Sequence, residues 1–146
     1  MASELIRALL IEDNPADARM VRETLARSRI ARFEIEQVER LDAAVARLRR
    51  PGIEVVLLDL TLPDSQGLET IARLKQAAPN VPIVALSIID DEHLVHDAVK
   101  CGGEDFLIKG AFSTESLVRS IRYAIDRQAA QAELAQARDS ALESAR

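Results

Sequence analysis

The chain has one cysteine, Cys101, and no tryptophan among its 146 residues. A single cysteine excludes both a disulfide framework and a zinc site built from cysteines. No apolar run approaches the about 18 residues needed to cross a bilayer, so we expect no membrane association. The start MASELIRALLIED reaches charged residues too early for a signal peptide. These absences predict a cytoplasmic protein.

Charge of one sign does not dominate the chain, because 24 acidic side chains stand against 19 basic ones and the net charge is −5. The basic cluster Arg47, Arg49 and Arg50 has no aromatic neighbours on which bases could stack. We interpret it as a solvated helix end and expect no nucleic-acid partner. With 48% hydrophobic residues, the chain is too apolar for a disordered protein and fits one folded domain.

Short apolar runs alternate with helical patterns along the chain, which is typical of a parallel sheet with helices on both faces. The second run alternates apolar and charged residues, so we expect that strand at an edge of the sheet. Asn14, followed by Pro15, is predicted to cap the first helix, and Ser113 the last. The predicted strands are Ala8–Ile11, Phe33–Val38, Val55–Leu60, Ile83–Leu86 and Phe106–Ile108.

The last predicted helix has no stop signal, since the chain from Ser113 to Arg146 contains no glycine or proline. We therefore predict a domain over residues 1–127 and a helical extension over residues 128–146. A spacing of three and four typical of a two-stranded coiled coil links Val118, Ile121, Ile125, Gln128, Ala132, Ala135, Asp139 and Leu142. Gln128 and Asp139 interrupt this seam, so the pattern fits two interpretations equally well. The helix either forms a homodimer or is a solvated helix left by truncation of a longer protein.

Polar side chains stand at the ends of four predicted strands, where ligands bind in parallel α/β sheets. They are Glu12 and Asp13, then Asp59, Ser87 and Lys109. Two carboxylates about 4 Å apart repel by about 4 kcal/mol at an effective dielectric constant near 20, so three together indicate a bound cation. Oxygen ligands favour Mg²⁺ over zinc.

This set of residues fits phosphoryl transfer. If Glu12 and Asp13 hold a metal ion together with Asp59, the Asp59 carboxylate can attack a phosphoryl group bound by the same ion. Lys109 can neutralise a transferring oxygen, and the Ser87 hydroxyl can donate a hydrogen bond to it.

Four segments extend this hypothesis to a family: LLIEDNPAD, VVLLDLTLPDSQG, IVALS and GGEDFLIKG. In these segments and their order, the chain resembles receiver domains of the response-regulator family over roughly residues 5–127. The resemblance implies a flavodoxin-like, doubly wound (βα)5 fold with strand order 2-1-3-4-5. It also implies that Asp59 accepts a phosphoryl group from a histidine kinase or a histidine phosphotransfer protein, with Mg²⁺, or Mn²⁺, as cofactor.

The resemblance assigns the remaining roles. Glu12, Asp13 and Asp59 would hold the metal together with the backbone carbonyl of Thr61, and Lys109 would pair with the phosphoryl group. Ser87 and Phe106 would be switch residues that change the face formed by the fourth helix, fifth strand and fifth helix. Such a receiver assists its own phosphorylation and dephosphorylation and is not a turnover enzyme. Its output domain or partner is expected outside this chain, as in receivers at the front of multidomain signalling proteins.

Three positions depart from the family pattern. Gly110 replaces the usual proline after the lysine, Phe106 lacks the hydroxyl of the usual tyrosine, and Ile88 is larger than the small residue usual after the switch hydroxyl. The bulk of Ile88 predicts slow turnover of the phosphoryl group. His93 and His96 lack an evident third metal ligand and are predicted to be exposed.

Two alternative functions follow from other classes of protein. A vestigial receiver would keep the fold as an interaction or dimerisation module without using the acids. An aspartyl-phosphate phosphohydrolase would use the same nucleophile, but that class usually carries a second acid two residues later, where this chain has Thr61.

Overall fold

The computed structural model describes residues 4–87, 96, 97, 100 and 105–144. The strands are β1 (Glu4–Ile11), β2 (Ala31–Val38), β3 (Val55–Asp59), β4 (Thr61–Leu62), β5 (Ser65–Gln66), β6 (Ile83–Ser87) and β7 (Asp105–Ile108). The helices are α1 (Pro15–Ala26), α2 (Leu41–Leu48), α3 (Leu68–Ala77) and a C-terminal helix (Thr114–Ser144). The predictions for Ile88, His93 and Cys101 fall outside the described residues.

Five strands form one parallel sheet in the order β2-β1-β3-β6-β7. This confirms the predicted flavodoxin-like order 2-1-3-4-5 and the position of β2 at an edge. Strands β1 and β2 begin earlier than predicted, because Glu4 pairs with Ala31 in a stretch whose exposed residues break the apolar run. The short antiparallel hairpin of β4 and β5 was not predicted.

The sheet buries an apolar layer on each face, since successive strand residues point to opposite sides. Strand β1 shows this directly: Leu10 packs on the side of α1 and the C-terminal helix, and Leu9 packs on the side of α2 and α3. All five residues of β3 and of β6 are buried. The core thus fixes the strand ends that carry the polar residues.

Side-chain caps hold the first turns of α1 and of the C-terminal helix. Asn14 Oδ1 accepts hydrogen bonds from the backbone amides of Ala16 at 2.9 Å and Asp17 at 3.1 Å, which confirms Asn14 as the N-cap of α1. Ser113 Oγ accepts a hydrogen bond from the Ser116 amide at 3.1 Å, as expected of the cap of the C-terminal helix.

The prediction of a solvated arginine cluster is wrong for Arg47, whose side chain is only 14% exposed. Its guanidinium donates to both carboxylate oxygens of Glu36 at 2.9 Å. It also donates to the carbonyls of Arg50 at 3.1 Å and Pro51 at 3.3 Å. Such a bidentate pair satisfies the arginine fork geometrically and links α2 to β2.

The C-terminal helix runs unbroken through 31 residues, as the absence of stop signals predicted. The first half of the predicted coiled-coil seam is, however, occupied by the domain itself. Val118 and Ile121 lie in the core, and Gln128 and Ala132 border a cavity shared with Pro82. A partner helix therefore has no access to Val118 and Ile121. No helix within the described residues is long and apolar enough to cross a membrane.

Candidate functional site

The predicted polar residues meet at the carboxyl ends of the central strands. Register pairs Asp59 with Leu86 and Ser87 with Ile108, so neighbouring strands end at the same level. The Glu12 amide donates to the Val38 carbonyl at 3.0 Å, and the Lys109 amide donates to the Ser87 carbonyl at 2.8 Å. Each of these two residues therefore continues the hydrogen-bond ladder one step beyond its strand.

Three carboxylates form a compact group at this edge. Oxygen atoms of Glu12, Asp13 and Asp59 all lie within 4.8 Å of one another. Glu12 and Asp59 are buried, whereas Asp13 is exposed at the rim. Hard oxygen ligands that are partly open to water fit a divalent cation such as Mg²⁺, which retains several water ligands. These residues thus fit the metal that the sequence predicted.

Lys109 neutralises part of this negative charge. Its Nζ atom lies 2.5 Å from Glu12 Oε1, 2.9 Å from Asp17 Oδ2 and 3.4 Å from Asp59 Oδ1. The side chain is only 7% exposed, so these contacts act where water screens them little. The lysine thus joins strand β7, the first turn of α1 and the end of β3.

Burial and hydrogen bonds together shift the pKa values of Glu12 and Lys109. Burial of Glu12, followed by its hydrogen bond with Asp59, raises the pKa of Glu12 to about 7, although Lys109 acts in the opposite direction. Burial of Lys109 favours its neutral form, but hydrogen bonds to Glu12 and Asp17 outweigh this effect and raise the pKa of Lys109. The ammonium therefore stays charged at neutral pH.

The remaining predicted residues lie on neighbouring strands and loops. Ser87 is 5% exposed at the end of β6, and Phe106 is 8% exposed, packed on the α2 and α3 side of the sheet. The backbone of Thr61 lies in β4, two residues after Asp59. Gly110 adopts a φ of +81°, a conformation that proline cannot adopt, and no cis peptide bond occurs in the described part of the chain.

A folded loop follows Asp59. The Gly67 amide donates to the Leu60 carbonyl at 2.7 Å, and Gly67 has a φ of +67°, which disfavours any residue with a Cβ. Asp64 accepts hydrogen bonds from the amides of Leu41 at 2.8 Å and Asp42 at 3.1 Å. Asp64 is therefore a helix cap, and it caps a helix distant in sequence.

Sequence reasoning missed two residues that shape the site. Asp17 contacts Lys109, and Gln37 Nε2 donates to the Glu12 carbonyl at 3.2 Å. A usable signal existed for Asp17, because its position in the first turn of the helix capped by Asn14 directs it toward the same edge. Gln37 offered none, because its contact depends on the pairing of β1 with β2.

The fold and the site together define a class of α/β domain with a parallel five-stranded sheet and an acidic group at the carboxyl ends of its strands, and comparison with known proteins identifies the family. A model of the response regulator receiver domain matches residues 8–122. The chain therefore belongs to this family.

Similarity to individual curated proteins supports the same family assignment. The chain is 34% identical over 128 residues to the KDP operon transcriptional regulatory protein KdpE of Escherichia coli, covering 86% of this chain and 54% of that protein. It spans about half the length of the curated relatives it matches, with 48%, 44% and 54% for three of them.

Solved structures show the same fold. A CheY-like receiver domain protein from Methanospirillum hungatei superposes with a TM-score of 0.72 at 17% identity, covering 88% of this chain and 99% of that one. A response regulator from Burkholderia pseudomallei superposes with a TM-score of 0.68 at 26% identity, covering 88% and 74%. The latter structure contains a phosphorylated aspartic acid, a calcium ion and citrate.

Proposed function

We propose that this receiver accepts a phosphoryl group on Asp59, in a reaction that depends on a divalent cation, from a histidine kinase or a histidine phosphotransfer protein. The observation that carries the proposal is the position of Asp59. Its carboxylate belongs to the acidic group with Glu12 and Asp13 and lies 3.4 Å from the Lys109 ammonium. One carboxylate is thus next to both a metal-binding set and a fixed positive charge.

The chemistry follows from these neighbours. An Asp59 oxygen attacks phosphorus, the bond from phosphorus to the donor's histidine nitrogen breaks, and an acyl phosphate forms. Glu12, Asp13 and the Thr61 carbonyl would hold Mg²⁺ or Mn²⁺ with Asp59, and the ion would supply charge neutralisation for the phosphoryl oxygens. Lys109 supplies a second positive charge at an atom that is already positioned.

Phosphorylation would then act as a switch. The new group adds up to two negative charges and three acceptor oxygens beside β6. Ser87 lies at the end of that strand and would donate a hydrogen bond to the phosphoryl group, and Phe106 lies in the adjoining strand β7. Movement of these two side chains would change the surface around β7 and the C-terminal helix, where an output domain or partner would dock.

We further propose that the chain assists its own phosphorylation and dephosphorylation and does not turn over external substrates. Water attack on the acyl phosphate would restore the Asp59 carboxylate and release inorganic phosphate. A cytoplasmic location and the domain boundary at residue 127 stay predictions.

A small phosphodonor, acetyl phosphate with Mg²⁺, tests the central proposal. Wild type is expected to gain one phosphoryl group, seen as a mass increase, and Asp59→Asn none. Asp42→Asn, which removes an exposed acid outside the site, should be labelled like wild type. Failure of wild type to be labelled would favour a vestigial interaction module, and catalytic release of phosphate from many substrates would favour a phosphohydrolase.

We also propose that the chain self-associates, with an exposed stripe on its C-terminal helix packing against the same stripe of a second copy. The stripe consists of Tyr123, Arg127, Ala130, Leu134, Ala137 and Ala141, which follow a four and three spacing. Tyr123 is 58% exposed and Leu134 is 70% exposed. This face points away from the domain, unlike the seam predicted from the sequence.

Charge complementarity supports the same pairing. In a parallel pair aligned on this stripe, Glu133 of one helix lies next to Arg138 of the other, at the flanking positions that form interhelical ion pairs. The two-fold axis creates this contact twice. Because alanine occupies half of the stripe, we expect weak self-association.

A further inference from the structure

Lys109 is held by more acceptors than the proposed reaction requires. An ammonium has three N–H donors, and Nζ of Lys109 has three carboxylates around it, from Glu12, Asp17 and Asp59. The distance to Asp59 is the longest of the three, 3.4 Å against 2.5 Å and 2.9 Å. The ammonium is therefore drawn away from the phosphoacceptor.

Asp17 helps to draw the Lys109 ammonium away from Asp59, and Asp17 itself is held in place by the first turn of α1. Its backbone amide donates to the Asn14 cap at 3.1 Å, and Pro15 restrains the first turn of the same helix. The Asp17 carboxylate does not belong to the group formed by Glu12, Asp13 and Asp59. Its side chain is 33% exposed, so it can give up the lysine and be solvated again.

We propose that Asp17 is a positioning residue that holds the Lys109 ammonium toward α1 and must release it when a phosphoryl group enters. Glu12 is buried beneath the site and can keep its contact with the lysine. A phosphoryl oxygen on Asp59 would then take the donor that Asp17 gives up. Asp17 thereby restrains phosphorylation through Lys109, and this inference rests on the function proposed for Asp59.

The matched variants are Asp17→Asn and Glu23→Gln. Both remove one negative charge from α1, but Glu23 lies on an exposed part of the helix. Full-length protein is labelled with acetyl phosphate and Mg²⁺, and the rate is followed against donor concentration. We expect Asp17→Asn to be labelled about two- to tenfold faster, since one charged hydrogen bond no longer competes for the lysine. Glu23→Gln should match wild type.

A second comparison shows whether the effect passes through the lysine. In a Lys109→Gln background, adding Asp17→Asn should leave the rate of labelling unchanged. If the acceleration persists there, the effect is general charge repulsion and the positioning role is wrong. An unchanged or slower rate for Asp17→Asn in the wild-type background would also overturn it.

A third readout needs neither donor nor metal. The ¹⁵N resonance of the Lys109 ammonium should shift on Asp17→Asn and stay in place on Glu23→Gln, with unchanged circular dichroism for both. No shift would mean that the contact does not exist in solution and would overturn the inference even where Lys109→Gln is labelled too slowly to compare. If wild type itself takes up no phosphoryl group, the proposed function fails instead.

Discussion

The carboxylate of Asp64 accepts a hydrogen bond at 2.8 Å from the amide of Leu41, 23 residues earlier in the chain. This contact caps α2, whose own N-cap residue Arg40 makes no side-chain hydrogen bond to the helix. Because Asp64 belongs to the loop that follows Asp59, the cap ties that loop to the N-terminus of α2. The geometry after the phosphoacceptor therefore depends on helix α2 being in place.

Removal of this cap should destabilise the protein. We expect Asp64→Ala to lower the free energy of unfolding by about 1–2 kcal/mol, the usual cost of losing a side-chain helix cap. The free energy of unfolding is measured by urea denaturation, with circular dichroism as the signal. Asp42→Ala is the matched control, because Asp42 places a charge in the same first turn but does not accept from the Leu41 amide. Equal losses for the two variants would contradict the capping role.

The same residue predicts a dependence of stability on pH. Burial of Asp64 acts to raise its pKa, but the hydrogen bonds from Leu41 and Asp42 outweigh it, so the pKa of Asp64 is lowered on folding. A lowered pKa contributes stability above the unfolded value, near 3.9, that is lost as the pH falls through the folded value. The stability gap between wild type and Asp64→Asn should therefore be widest near neutral pH and shrink below about pH 4. A gap that is constant between pH 7 and pH 3 would contradict this.

Metal binding should stabilise the folded chain. Addition of Mg²⁺ or Mn²⁺ is expected to raise the melting temperature of wild type, because a ligand that binds only the folded state at about 100 times its Kd adds about 2.7 kcal/mol. Asp13→Asn removes an exposed member of the acidic group and should lose most of this increase. Thermal unfolding with and without the ion measures it, and Asp42→Asn should respond like wild type. An Asp13→Asn protein that gains as much as wild type would show that the ion binds elsewhere.

Two leucines distinguish the two faces of the C-terminal helix. Leu134 lies on the exposed stripe and Leu142 on the seam predicted from the sequence, and both are well exposed, at 70% and 61%. We expect Leu134→Gln to reduce self-association in sedimentation experiments and Leu142→Gln to leave it unchanged. Glu133→Arg should also weaken it, and adding Arg138→Glu should restore it. Wild type that stays monomeric at millimolar concentration would contradict the pairing.

Local patterns in the sequence were sufficient to predict a parallel sheet and the proximity of Asp59 and Lys109 at one edge of it. The strand order 2-1-3-4-5, in contrast, was implied by the resemblance to receiver domains. Continuous apolar runs mark strands buried on both faces, and a parallel sheet then brings the residues that follow them to one edge. Asp59 and Lys109 could be placed together on this ground alone.

What the sequence did not predict depends on contacts between distant segments. The cap that Asp64 gives to α2 joins positions with no shared local pattern, and the hairpin of β4 and β5 is only two residues deep on each side. The coiled-coil seam was wrong in its first half for a related reason. Val118 and Ile121 have the spacing of a dimer interface, but the same spacing packs a helix on a sheet, and only the folded domain decides between the two.

The unbroken C-terminal helix also has a mechanical consequence. From Ile125, the last residue that packs against the core, to Ser144 it rises about 28 Å at 1.5 Å per residue. Anchored at one end, it acts as a lever: a tilt of about 10° at the domain would move its far end by roughly 5 Å. A rearrangement too small to reshape the domain would therefore be amplified at the far end of the helix.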